Sequence, residues 1–177
     1  EYHRFDISSV YAASEGIATI RYQQPHYEAF LLQDKIQTSK TYMHNFDVNG
    51  KFVINFQESV DNSDTEGDYM YVHFMLPLKT PFLDGQLYLG GEWNGNLLNE
   101  NSRLAYDFNA GTYYKTLLLK QGGYNYQYWF LQKGSKKANV EKVDGSYWQT
   151  GNEYSIYVYH RPWGERYDKL IAVKSLQ

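Results

Sequence analysis

Apolar and polar positions along this chain alternate in short bursts, and no window of ten residues carries a helical 3.6-residue period. Runs rich in β-branched and aromatic residues are bounded again and again by Gly, Asn, Asp or Ser, the pattern of half-buried strands separated by turns. The alternation predicts strands at Arg4 to Val10, Ile17 to Gln23, Tyr27 to Leu32, Thr41 to Phe46, Lys51 to Gln57 and Tyr69 to Leu76. It continues at Gln86 to Leu89, Thr112 to Leu119, Tyr124 to Gln132, Tyr154 to His160 and Lys169 to Lys174. Turn signals about every 8–12 residues belong to a β-sandwich.

Two turns carry a mechanism. Asp47-Val48-Asn49-Gly50 places an Asn-Gly pair, tolerant of positive φ, between two strand-like runs. Gln121-Gly122-Gly123 is expected to close a hairpin between Thr116-Leu117-Leu118-Leu119 and Tyr124-Asn125-Tyr126-Gln127-Tyr128, with Tyr124, Tyr126, Tyr128 and Phe130 on one face. The tract Asp61-Asn62-Ser63-Asp64-Thr65-Glu66-Gly67-Asp68 is polar and poor in strand formers, and reads as an acidic linker. Residues 1–60 would then be a strand-rich N-terminal segment and residues 69–177 one sandwich of about a hundred residues.

Composition sharpens this picture at one point: 18% of the 177 residues are aromatic, and 19 are tyrosine, a residue suited to pleated surfaces and to interfaces. The net charge of −3 provides no field for a polyanion, and the basic tract Lys133-Gly134-Ser135-Lys136-Lys137 is short, so nucleic acid is not an expected partner. The absence of cysteine removes disulfides, thiolate catalysis and cysteine metal sites. No run approaches the roughly 20 apolar residues of a membrane-spanning helix. The chain opens at Glu1 rather than at a methionine, which reads as a processed or truncated product.

Catalytic patterns are weak. A calcium loop beginning at Asn62 puts Gly67 at the sixth place but His73 where a bidentate Glu is needed. His3, His26, His44, His73 and His160 show no ligand spacing, and no serine sits in a nucleophile elbow. Glu92 is the best candidate acid for glycoside hydrolysis, with Asp107 or Asp144 as partner, but nothing pairs them. The expectation is a non-enzyme without metal or cofactor.

Binding is better supported. Tryptophan faces stack on sugar rings, which makes Trp93, between Gly and Asn turn formers, and Trp148 candidate glycan platforms, with Trp129 equally at home in a core. The segment from Tyr157 to Ile171 joins two β-like runs through a turn dense in Arg, Trp and Tyr, the types that dominate interface energetics. Arg161, Trp163, Arg166 and Tyr167 are therefore candidate partner contacts, while Arg161 and Arg166 can equally fix the turn by pairing with Asp168 or Glu165.

In order along the chain, Gly50-Lys51-Phe52-Val53-Ile54, Asp68-Tyr69 with Val72-His73-Phe74, Gly91-Glu92-Trp93-Asn94, and Asn101 with Arg103-Leu104 and Tyr106 form a recognisable set. It continues with Leu118 to Tyr128, Gln149 to Tyr154, Val158-Tyr159, Arg161-Pro162 and Arg166 to Ile171. As a set it resembles the C-terminal part of the type IX secretion system plug protein family of Bacteroidota. Gly123, Gly151 and Trp163-Gly164-Glu165 depart from the family pattern at turns.

The resemblance implies a periplasmic protein, peripheral to the outer membrane, that docks on the outer-membrane translocon and helps keep its pore closed. It implies a longer chain with a preceding N-terminal domain and brings no catalytic residues. The Gly-Glu-Trp-Asn turn also looks like the Gly-x-Phe-Asn-x-Trp turn of glycogen-binding modules, which makes Trp93 a packing residue. The expected fold is all-β, an immunoglobulin-like, early-set antiparallel β-sandwich preceded by the strand-rich segment. The alternative reading is a carbohydrate-binding β-sandwich module of a glycan-handling system.

Overall fold

An extended run must find partners for its amides and carbonyls, so the pairing of strands decides which side chains meet. The computed structural model describes residues 2–11, 14–36, 50–59, 61–145 and 154–176. Their strands are β1 (His3–Asp6), β2 (Ile17–Gln23), β3 (His26–Leu31), β4 (Phe52–Ile54), β5 (Tyr69–Pro77) and β6 (Gly85–Gly90). They continue as β7 (Ala105–Asp107), β8 (Thr112–Lys120), β9 (Gly122–Gln132), β10 (Tyr154–His160) and β11 (Lys169–Leu176). The expected strand at Thr41 to Phe46 and the first three residues of the Asp47 to Gly50 turn lie outside the described residues.

The chain divides into two compact units, Glu1–Ser146 and Tyr147–Gln177. In the first, one sheet has the order β2-β3-β5-β8-β7. The other is built on β9: β1 and β4 flank its first half, where Tyr124 lies opposite both Phe5 and Phe52, and β6 pairs with its second half. The named strands pair antiparallel except β3 with β5, where Tyr27 faces Met70 in a parallel ladder that the long intervening connection permits.

Alternation along the strands fills the space between the sheets. Met70, Val72, Phe74 and Leu76 of β5 are all buried while their neighbours are not, and Tyr124, Tyr126, Tyr128 and Phe130 of β9 are buried on the expected face. The Phe5 and Phe74 rings, from different sheets, meet edge to face at 5.5 Å, and Phe74 meets Tyr126 at 5.1 Å. The protein is an all-β sandwich.

Two sequence expectations change. Gln121-Gly122-Gly123 closes no hairpin, because β8 pairs with β5 and β7 whereas β9 pairs with β1, β4 and β6. The chain changes sheets there. The buried Gln121 fixes the corner: its N–H donates to Asp68 O and its side-chain Oε1 accepts from Asp68 N, both at 2.9 Å. Gly122 is required at the next place, since a Cβ on it would stand 2.2 Å from Val53 O.

The second change concerns residues 61–68, expected to divide two domains. The strands before this tract share sheets with those after it, β1 with β9 and β3 with β5. The described strands before the tract, β1 to β4, therefore belong to the sandwich. Within the tract the short helix α1 (Ser63–Glu66) is capped by Asn62, whose side chain accepts from Asp64 N at 2.9 Å. A polar run signals an exposed turn, but it says nothing about which strands pair across it.

The connection into β7 also changes sheets. Leu89 N donates to Ser102 O and Leu104 N to Leu87 O, so residues 102–104 run along β6 before Ala105–Asp107 joins β8. In the second unit, β10 and β11 form an antiparallel ribbon with an irregularity between Val158 and Tyr159.

Phe74 is fully buried between the sheets, so Phe74→Ala is expected to lower unfolding free energy by roughly 3–5 kcal/mol. Leu118, half exposed on the outer side, is the control: urea denaturation of Leu118→Ala is expected within about 1 kcal/mol of the parent.

Candidate functional site

The ribbon of β10 and β11 has side chains on two faces and, among the described residues, pairs with no third strand. Tyr157 and Tyr159 project from β10, as do Ile156 and Val158 in the alternate positions, and all are exposed. Across from them Leu170, Ile171 and Val173 of β11 are exposed as well. A soluble surface seldom places so many large apolar groups together unless something covers them.

The tip is held by ionic geometry. Arg161 donates through Nε and Nη2 to the two carboxylate oxygens of Asp168, each at 2.9 Å, a bidentate pair that ties the two strand ends. Lys169 Nζ donates to Glu165 Oε1 at 2.8 Å, and Glu165 N donates to Pro162 O. Within this frame Trp163 is fully exposed at 104%, and Tyr167 at 60%. Arg166 is also exposed. Of the four expected contact residues, Arg161 thus shapes the turn, and Trp163, Arg166 and Tyr167 present themselves on it. Arg161, Arg166, Lys169 and Lys174 outnumber Glu165 and Asp168, so the ribbon is locally basic on a chain that is acidic overall.

The Gly-Glu-Trp-Asn turn is built differently. Asn94 Oδ1 accepts from Gly91 N and Asn96 N, and Asn94 Nδ2 donates to Leu89 O, so one side chain satisfies three backbone groups. The half-buried indole of Trp93 donates to Asn125 O at 3.2 Å and packs against the core. It occupies the room that a Gly91 side chain would take, for a Cβ there would lie 2.1 Å from Trp93 Nε1. Gly90 stands in the same relation to Trp129, at 2.3 Å. Trp93 therefore packs the turn onto β9, and Trp148 lies outside the described residues.

The three carboxylates considered for hydrolysis serve separate duties. Asp107 Oδ1 accepts from Asn109 N and Ala110 N, and Glu92 opens the 3-10 turn. Asp144 is buried, accepting from Tyr128 N through Oδ2 and from His3 Nε2 through Oδ1, each at 2.8 Å.

Asp144 belongs to a network that no local signal announced. His3 Nδ1 reaches Asp34 Oδ1 at 2.9 Å, and Tyr126 and Tyr128 both donate to Asp34 Oδ2, at 2.7 and 2.6 Å. The imidazole stacks on the Tyr126 ring at 5.0 Å. Burial by itself would lower the His3 pKa, but the hydrogen bonds and charges of Asp144 and Asp34 outweigh it, and the pKa is raised to about 10. Burial, with Asp34 second, pushes the Tyr126 hydroxyl well above the ordinary tyrosine value, keeping it a donor. The arrangement is an imidazolium clamped between two carboxylates, and it locks β1 and β9 to the loops carrying Asp34 and Asp144. The one sequence hint was the pair of core-facing tyrosines, whose hydroxyls require an acceptor.

No family model matches the chain, and no curated protein matches it. A crystal structure of a hypothetical protein from Parabacteroides merdae is similar in fold and sequence, with a TM-score of 0.90 and 41% identity over 99% of this chain. This chain spans 44% of that protein's length.

The His3 pKa is higher folded than unfolded, so its stabilisation is complete below about 6.5 and is lost as pH rises toward about 10. His3→Ala leaves two carboxylates without their cation and is expected to cost roughly 3–5 kcal/mol near pH 6. Denaturant unfolding across pH 6–10 is expected to show that deficit shrinking as pH rises; a constant deficit excludes the charged clamp.

Proposed function

We propose that the protein is a non-enzymatic accessory of the type IX secretion translocon, placed in the periplasm against the outer membrane and acting by occupancy. Its work is protein–protein contact that closes a pore, with no bond made or broken. The ordered set of sequence pieces from Gly50 to Ile171 supports the secretion reading. The observation that carries the contact reading is the ribbon: Trp163, Tyr167 and Arg166 stand exposed on a turn pinned by the Arg161–Asp168 pair. A rigid turn with exposed aromatic and guanidinium groups lowers the ordering cost of association, and anchors of this type concentrate binding energy. Among the described residues no helix is long and apolar enough to cross a membrane.

The carbohydrate reading rests on the Gly-Glu-Trp-Asn turn and the aromatic excess, with Trp93 and Trp148 as its stacking faces. With the Trp93 indole N–H used by Asn125 O and its ring half buried, the packing role is the better supported one for that residue.

Co-purification with the outer-membrane translocon protein tests the proposal. Replacing Arg161, Trp163, Arg166 and Tyr167 together by Ala is expected to abolish capture while circular dichroism of the sandwich is retained; undiminished capture removes the ribbon from the contact. Tryptophan fluorescence titration with α-glucans is expected to be silent, and saturable binding lost in Trp93→Ala would establish the carbohydrate module instead.

A further inference from the structure

Where residues 102–107 leave β6 for β8, the sandwich edge opens into a cavity of about 530 Å³, within the usual range for small-molecule sites. Its apolar wall is aromatic. Tyr106 meets Phe108 edge to face at 5.0 Å and Tyr113 at 4.8 Å, and Phe82 lies over Tyr113. The tyrosine hydroxyls are engaged by the protein, since Tyr106 donates to Leu78 O and Tyr113 accepts from Phe82 N. These walls therefore offer ring surface more than hydrogen bonds, and Phe108, 81% exposed, has a ring available for stacking.

The polar rim is made by Glu100, Arg103 and Lys115. Arg103 Nη2 contacts Glu100 Oε2 at 2.6 Å, and Lys115 Nζ donates to the Glu100 main-chain carbonyl at 3.1 Å. The rim thus sets two cations, Arg103 on the Glu100 carboxylate and Lys115 on its main-chain carbonyl, against a single acidic side chain, leaving a surplus positive charge beside the aromatic wall. Burial lowers the Lys115 pKa, the mark of a cation partly withdrawn from water. The Glu100 side chain is 76% exposed, and among the described residues its carboxylate pairs with Arg103. Its carboxylate shows which group this rim accepts.

We propose that the cavity binds a small ring-bearing carboxylate, its ring on Phe108 and Tyr106 and its carboxylate on Arg103 and Lys115 in place of the Glu100 side chain. The planar guanidinium fork matches a carboxylate bidentately, and the single surplus charge suits a monoanion. Aromatic acids and sugar acids share this chemistry. Glu100 then acts as a built-in competitor, so the site is weak for neutral rings and selective for acids. The inference stands independently of the secretion reading.

Amide chemical-shift titration of the intact chain with phenylacetate and with glucuronate, each against its neutral counterpart, phenylacetamide and glucose, tests it. At least one acid is expected to shift cavity amides saturably, about tenfold more tightly than its neutral counterpart. Phenylacetate alone identifies an aromatic acid, glucuronate alone a sugar acid, and both together a site that needs only ring and charge. Arg103→Gln is expected to weaken binding about tenfold and Phe108→Ala to weaken it measurably. Glu100→Gln is expected to strengthen it, while Asp64→Asn, the same charge change away from the cavity lining, leaves it unaltered. Silence with both acids, equal binding of acid and neutral probe, full affinity in Arg103→Gln, or no difference between Glu100→Gln and Asp64→Asn each overturns the proposal. All four substituted side chains are substantially exposed, so loss of fold does not obscure the outcome.

Discussion

Everything in the sandwich depends on burying tyrosine hydroxyls between two sheets. The faces of β5 and β9 can approach because their side chains are large and flat, yet Tyr126 and Tyr128 bring oxygen atoms into the interior. An unpaired hydroxyl there would cost about 1–3 kcal/mol. Asp34 receives both, which in turn buries a charge. His3 compensates that charge, and its second N–H needs Asp144, which also satisfies Tyr128 N. The aromatic core and the ionic clamp are therefore one object: each polar group is present because another would otherwise be left unmatched.

The places where the chain changes sheets organise the remainder. At Gln121 the transfer is tight, with a buried side chain tied to Asp68 and a glycine admitting the Val53 carbonyl. At residues 102–107 it is looser, and a cavity with aromatic walls and a cationic rim lies beside it. A strand that serves two sheets cannot pack fully against both, so space at such an edge is a geometric consequence of the crossing. The C-terminal ribbon follows another logic. Two strands cannot enclose a core, and an isolated ribbon of this kind is only marginally stable in water. Its tip is tied by the bidentate Arg161–Asp168 pair.

Many strand positions were legible because alternation is local: Tyr69 to Leu76 and Tyr154 to His160 read directly from the period of two, and the inward face of β9 followed from the same rule. By contrast, β7 is too short to show a period, and β1 and β4 end well before the apolar runs that announced them. Pairing was not legible, because it is decided by side chains far apart in the sequence. The short joint at Gln121-Gly122-Gly123 has the composition of a hairpin turn, and only the destinations of β8 and β9 distinguish a corner from a hairpin. Residues 61–68 misled for the same reason. Of the candidate site, the Arg-Trp-Tyr turn was visible in composition. The rim of Glu100, Arg103 and Lys115 was not, since Lys115 arrives from β8 and its alternation marks only which way it points.

The glycines before the two tryptophans carry a constraint of inheritance. Trp93 fills the space above Gly91 and Trp129 the space above Gly90, so in each couple bulk at one position is bulk denied at the other. Neither member can drift alone. Relatives that keep this corner should retain small beside large, with joint exchange open to positions 90 and 129 alone, because the Asn125 main-chain oxygen, 2.8 Å from a Cβ at 91, holds that place to glycine whatever stands at 93.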